Sequence, residues 1–214
     1  MFLFINHTME MSVSSPLRSG KILALLVLLS GVFVPLTAQT GDPLETYYEN
    51  LMERNRYGMM VLGSWAAVNM ATGAVGYYRG EGVNRYFHQM NLFWNVVNMG
   101  IASTALFSSM PETLSMGEVL QTQIGFEKAF MVNGALDVAY MAGGLYLIER
   151  SKNVTNRATR LRGYGRSVIL QGAFLFAFDF TMYFIQHHHY KMDLLPMINQ
   201  MGLPGGGLTL HLTF

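Results

Sequence analysis

Two aspartates of this chain lie inside long apolar stretches. Asp137 sits in the run from Phe130 to Ile148 and Asp179 in the run from Ser167 to Gln186, and neither run holds another charged residue. A carboxylate at such a depth in hydrocarbon costs at least about 2.5–3.5 kcal/mol on insertion scales, and apolar surroundings penalise its charged form. With no Lys or Arg in either run, each carboxyl must share a proton, bind a cation, or be solvated by amide donors and water. Such donors recur at similar depth. Asn69 is near the centre of the run Tyr57–Tyr78. His88, Asn91, Asn95 and Asn98 are spaced 3, 4 and 3, which puts them on one helical face beside Trp94. Asn133 precedes Asp137 by four residues, and Gln171 precedes Asp179 by eight. The chemistry these types offer is a midplane site for a proton, a small cation or a polar solute. In it Asp137 and Asp179 titrate or bind, and Asn69, Asn95, Asn98, Asn133, Gln171 and His88 surround them. The plainer reading is a hydrogen-bonded network that holds helices together at about 0.6 kcal/mol per contact. Two aspartates favour the site over the network.

Other chemistry is thinner. His187, His188 and His189 follow the fourth apolar run and, with His211 and the 17 Met, supply ligand types for copper, zinc or haem. Adjacent histidines seldom all reach one ion, so a solvated helix end is the simpler reading, and no cofactor is expected. Cysteine is absent, which excludes disulfides and thiolate chemistry. Gly73, Gly76, Gly80 and Gly82 do not follow a strand, so they make no phosphate loop. No Ser, His and Asp set carries a nucleophile elbow, and no enzymatic role is expected. A net charge of +1 gives no field for nucleic acid.

The elements that must position the site follow from composition. Of 214 residues, 51% are hydrophobic and only 13% charged, about half the usual charged share of a soluble domain. Tyr57–Tyr78 holds 22 residues without a charge, and Tyr86–Met110 holds 25 with only His88 as a titratable group. With the two aspartate-bearing runs this makes four, each near the roughly 20 residues that cross a bilayer core. Tyr57, Tyr77, Tyr78, Tyr86, Tyr146, Tyr164 and Tyr183 lie near run ends, as in an interfacial aromatic belt.

The flanks carry topology. Arg18 and Lys21 precede the 13-residue apolar stretch Ile22–Val34, and Leu36-Thr37-Ala38 follows Pro35. That order predicts a secretory signal cleaved after Ala38, and a start at Met11 would give it more usual proportions. Asp42, Pro43 and Glu45 read as N-cap, N1 and N3 of a helix whose apolar face is Leu44, Tyr47, Tyr48, Leu51 and Met52. The first and third connections hold eight basic residues (Arg79, Arg85, Arg150, Lys152, Arg157, Arg160, Arg162 and Arg166) against four on the other side. The positive-inside rule then puts both ends of the mature chain outside the cytoplasm, in agreement with the signal. After Pro204-Gly205-Gly206-Gly207, the alternation of Leu208, Leu210, Leu212 and Phe214 predicts an extended tail. A whole barrel fails, because the long runs do not alternate, so an outer-membrane location is not expected. Ala67–Ala71 and Ala135–Ala139 align as a faint repeat, with Gly76 matching Gly144.

The expected architecture is therefore all-α: a signal peptide (1–38), a short external amphipathic helix (39–56), a four-helix transmembrane bundle (57–190) and a short extended C-terminal tail (191–214). Its expected place is the bacterial inner membrane, with both mature termini periplasmic. Its expected partners are the lipid bilayer, a second copy in a homodimer, and an envelope protein. The rival role is a non-catalytic assembly or accessory protein that docks through the outer helix and the tail. The segment Arg85-Tyr86-Phe87-His88-Gln89-Met90-Asn91, followed by Trp94-Asn95 and Asn98, resembles a family of uncharacterised bacterial membrane proteins with a domain of unknown function. That resemblance implies no activity.

Overall fold

A computed structural model describes residues 42–107 and 115–202. The expected signal peptide and the Leu208–Phe214 strand lie outside the described residues. Within them every regular element is helical: α1 (Pro43–Arg79), α2 (Gly82–Leu106), α3 (Met116–Arg150), a 3-10 turn (Ser151–Asn153), α4 (Ala158–His189), a π-helical turn (Tyr190–Leu194) and α5 (Leu195–Gln200).

α1 starts where its capping residues place it. Asp42 accepts a hydrogen bond from the Leu44 N–H at 3.1 Å, and Pro43 occupies the first turn. The amphipathic segment is not a separate helix, however. It runs without a break into the first apolar run, giving 37 continuous residues, or about 55 Å at 1.5 Å per residue. Nothing between Arg56 and Met59 forces an end. Gly58 costs some helix propensity, but a Cβ there would meet Met182 at 2.5 Å, so its absence lets α4 approach. The expected boundary at residue 56 is thus a change of surroundings, not of backbone. The region from 191 likewise continues as helix to Gln200.

The helices form two hairpins, α1–α2 and α3–α4, joined chiefly through α2 and α4. Small residues set the spacing. A Cβ on Gly144 would lie 2.8 Å from the Gly165 carbonyl, and one on Gly165 would lie 2.5 Å from the Gly144 carbonyl, so the α3 and α4 backbones nearly touch. In the other hairpin a Cβ on Gly73 would lie 3.0 Å from the His88 carbonyl. Gly76 and Gly144, equivalent in the faint repeat, each face the partner helix of their own hairpin. The α1–α2 turn uses Gly82 at φ +52°, a left-handed conformation that glycine adopts freely. Gly82 sits beside Thr159, and Gly163 sits against the Val83 carbonyl, so both hairpin turns share one end of the bundle.

The opposite end is a packed head. Tyr47, Tyr48 and Leu51 of α1 bury themselves against Val119 of α3, Leu194 of the π turn and Ile198 of α5. The apolar face, which by its spacing suits packing and a membrane surface equally, is therefore used for packing inside the chain. Elsewhere burial is inverted. The interior holds Asn69, Asn91, Asn95, Asn98, Gln171, Asp137 and Asp179, while Phe93, Val97, Ile101, Leu145 and Phe184 are more than half exposed. In water such an arrangement forfeits the hydrophobic effect; in lipid it is the stable one. α1, α3 with its 3-10 extension, and α4 through α5 are each long and apolar enough to cross a membrane. α2 falls short on composition, since Asn84, His88, Gln89, Asn91, Asn95 and Asn98 dilute its apolar content.

Candidate functional site

Spacing alone set Asn91, Asn95 and Asn98 on one face of α2, and that face is the one turned inward, with all three buried. Asn91 is the centre. Its side-chain amide donates to Asn69 Oδ1 of α1 at 2.9 Å, and its Oδ1 accepts from Gln171 Nε2 of α4. Gln171 Oε1 accepts from the indole N–H of Trp65 at 2.9 Å, and the Trp65 ring stacks on Phe174 at 3.9 Å. Asn69 donates to the Trp65 carbonyl at 2.8 Å, and Asn95 to the Asn91 carbonyl at 2.8 Å. Asn98 donates to Asn95 Oδ1 at 3.4 Å. The result is an amide layer joining α1, α2 and α4, in which these donors are used within the chain.

The aspartates stand apart from it. Asp137 of α3 and Asp179 of α4 are 2% and 4% exposed, and their carboxyl groups face each other. An ionised carboxylate only accepts hydrogen bonds, so a bond between these two requires a proton on one of them. No Lys or Arg acts on either, and Asp137 Oδ2 is buried without a partner. Among the described residues no hydrogen bond links the acid pair to the amide layer. Of the amides expected around the carboxyls, Asn69 and Asn95 donate to backbone carbonyls of their own helices, and Asn98 to Asn95. Gln171 and Asp179 share α4, but two helical turns separate them.

Two expected members lie elsewhere. Asn133 is exposed on α3. Four residues of helix rotate it about 40° from Asp137, and the buried stripe of Phe130, Gly134, Asp137 and Gly144 turns the other way. His88 is half-buried beside Gly76, where a Cβ would strike its ring, and its Nδ1 is buried without a partner. Two residues absent from the expected site carry the amide layer, Asn91 and Trp65. Asn91 was already in the α2 stripe. Trp65 lies four residues before Asn69, and an indole N–H in apolar surroundings needs an acceptor.

The histidine run divides. His189 is buried, stacks on Tyr47 at 4.2 Å and has its Nε2 3.3 Å from an Asp193 carboxylate oxygen. Burial, helped by Arg54 and His188, pushes its imidazole down to about 3. His187 meets Glu127 at 3.3 Å, and His188 is exposed. Tyr47 donates to Gln123 Oε1 at 2.7 Å, while Gln123 Nε2 donates to Glu127 and to the Gln186 carbonyl. The tyrosine hydroxyl is held above its ordinary range by burial and by Glu127. These head groups lie beyond the uncharged runs. Among the described residues no group of three or more His, Asp or Glu side chains is arranged to hold a metal ion.

Fold and site together define an all-helical protein with three helices long and apolar enough to cross a membrane, and a polar interior. Residues 61–180 match a family of unknown function (DUF6992). More than half the chain is covered, and the chain belongs to that family. The matched span contains both the amide layer and the acid pair and leaves out the histidine run. No curated protein matches the chain, and neither does any solved structure.

Proposed function

We propose that this is a four-helix inner-membrane protein whose paired Asp137 and Asp179 bind, and pass across the bilayer, a proton or a small cation. One observation carries this reading: two carboxyl groups buried against each other on two apolar helices, with no basic side chain to neutralise them. Such a pair exchanges a shared proton for a monovalent cation at little structural cost, because either occupant adds one positive charge to the two carboxyls and leaves the same net charge of −1 on the site. The inverted burial of α2 supports counting it as the fourth crossing, since its asparagines face protein while Phe93, Val96, Val97 and Ile101 face outward. The clustering of both basic hairpin turns at one end supports a cytoplasmic position for that end. The rival accessory role docks through the outer helix and the tail; Tyr47, Tyr48 and Leu51 of that helix are buried within the head, and the tail lies outside the described residues.

The test is ion flux in proteoliposomes, read with an internal pH dye and with sodium- and potassium-sensitive dyes. Wild type moves one of these ions down its gradient. Asp137→Asn, Asp179→Asn and the double variant each abolish that movement while keeping wild-type helicity and elution. Full flux in a folded double variant rules the site out.

A further inference from the structure

At the end of the bundle that holds both hairpin turns, a cleft of about 580 Å³ opens between the last turn of α3 and the start of α4. Arg150, Arg157 and Arg160 line it together with Leu147, Val154 and Leu161, and no carboxylate does. The nearest acidic residue in sequence, Glu149, is occupied by Lys152 at 2.5 Å. Arg150 rests on Tyr146, giving its Nη1 to the hydroxyl at 3.0 Å. Arg157 and Arg160 are exposed and have no acidic partner among the described residues. α4 also begins here without a side-chain cap, so its first N–H groups are left for another acceptor.

We infer that this cleft binds a phosphate group. Three guanidinium groups around one space repel each other until an anion enters. Their planar forks match phosphate oxygens two at a time, which an ammonium cannot do. The apolar residues beside them fit the glycerol and first methylenes of a phosphate ester better than a bare ion. Two sources offer this chemistry, the headgroup of an anionic phospholipid and free phosphate. The headgroup source rests on the topology proposed above; the recognition of phosphate does not.

The experiment uses the full chain in two arms. In the first, protein in detergent with an equimolar mixture of phosphatidylglycerol and phosphatidylcholine is read by native mass spectrometry for retained lipid. In the second, protein in phosphatidylcholine nanodiscs is titrated with inorganic phosphate and read by phosphorus NMR line broadening. Each arm compares wild type with R157Q/R160Q and with the charge-matched R162Q/R166Q, all checked for wild-type helicity. Near a membrane surface each arginine is worth about a fivefold preference, so R157Q/R160Q loses about 25-fold of the phosphate preference while R162Q/R166Q keeps most of it. Selective retention of phosphatidylglycerol that inorganic phosphate does not compete away identifies a headgroup site. Broadening by inorganic phosphate that the cleft pair abolishes identifies a free-phosphate site. The inference is overturned if neither anion is preferred, or if R162Q/R166Q loses as much as the cleft pair, since diffuse surface charge then explains the binding. Failure of ion flux through Asp137 and Asp179 leaves both arms readable.

Discussion

The amide layer and the acid pair are both buried, both polar and both draw on α4, yet they are built on opposite terms. In the amide layer Trp65, Asn69, Asn91, Asn95 and Gln171 hand their donors to one another or to backbone carbonyls. In the acid pair two acceptors face each other, and Asp137 Oδ2 is left with nothing. A satisfied network is rigid and has no room for an outside partner, whereas an unsatisfied pair asks for one. The contrast divides residues that share one depth: the amides bond one another across helices, and the carboxyls face only each other.

Gln171→Leu strikes the amide layer at its hub and should show the largest stability loss. It strands the Trp65 N–H and Asn91 Oδ1, and at about 1–3 kcal/mol for each buried group left unpaired the total is about 2–6 kcal/mol. Unfolding in mixed micelles measures this. Flux per folded molecule should be unchanged, and equal loss of flux would erase the distinction between the two layers.

A smaller effect separates the head from the bundle. His189 is neutral when folded, with an imidazole at about 3 against an ordinary 6.5. Acid therefore draws the chain toward the unfolded state, where the ring protonates more readily. The stability tied to neutral His189 is complete above about 6.5 and is lost as pH falls toward about 3. His189→Phe keeps the stack on Tyr47 and should flatten the fall in head melting between those pH values, followed by near-ultraviolet circular dichroism. Arg54, Asp193 and His188 stand beside it in both proteins, so the difference between the two curves is the quantity of interest.

The smallest effect belongs to Asn133. Exposed on α3, it joins neither layer. Asn133→Leu should change stability by less than about 0.5 kcal/mol and leave flux intact. A marked loss of flux would return this residue to the site.

Much of this was readable from residue order. Uncharged runs located the long helices, Asp42 and Pro43 located the first N-terminus, and the 3-4-3 spacing of α2 named the face that turned out to be buried. What spacing cannot supply is the identity of a partner across an interface. It put Asn69 and Asp137 at one depth but not on the same pair of helices. It placed Asn133 one turn from Asp137 while the buried stripe passed on the other side. The head escaped for a related reason. Leu44, Tyr47, Tyr48 and Leu51 form a face that a membrane surface or another helix could cover equally well, and only packing against Val119, Leu194 and Ile198 decides between them.

The unbroken course of α1 from head to bundle has a mechanical consequence. One rod passes from a dry apolar cluster into a polar-centred bundle, so its two halves rest on opposite kinds of packing. A chaotrope that weakens apolar burial acts on Leu51 and its neighbours and finds little to attack around Asn91. A change of lipid thickness does the reverse. The helix has no joint at the splice, so cap and shaft share one backbone although quite different side chains hold each.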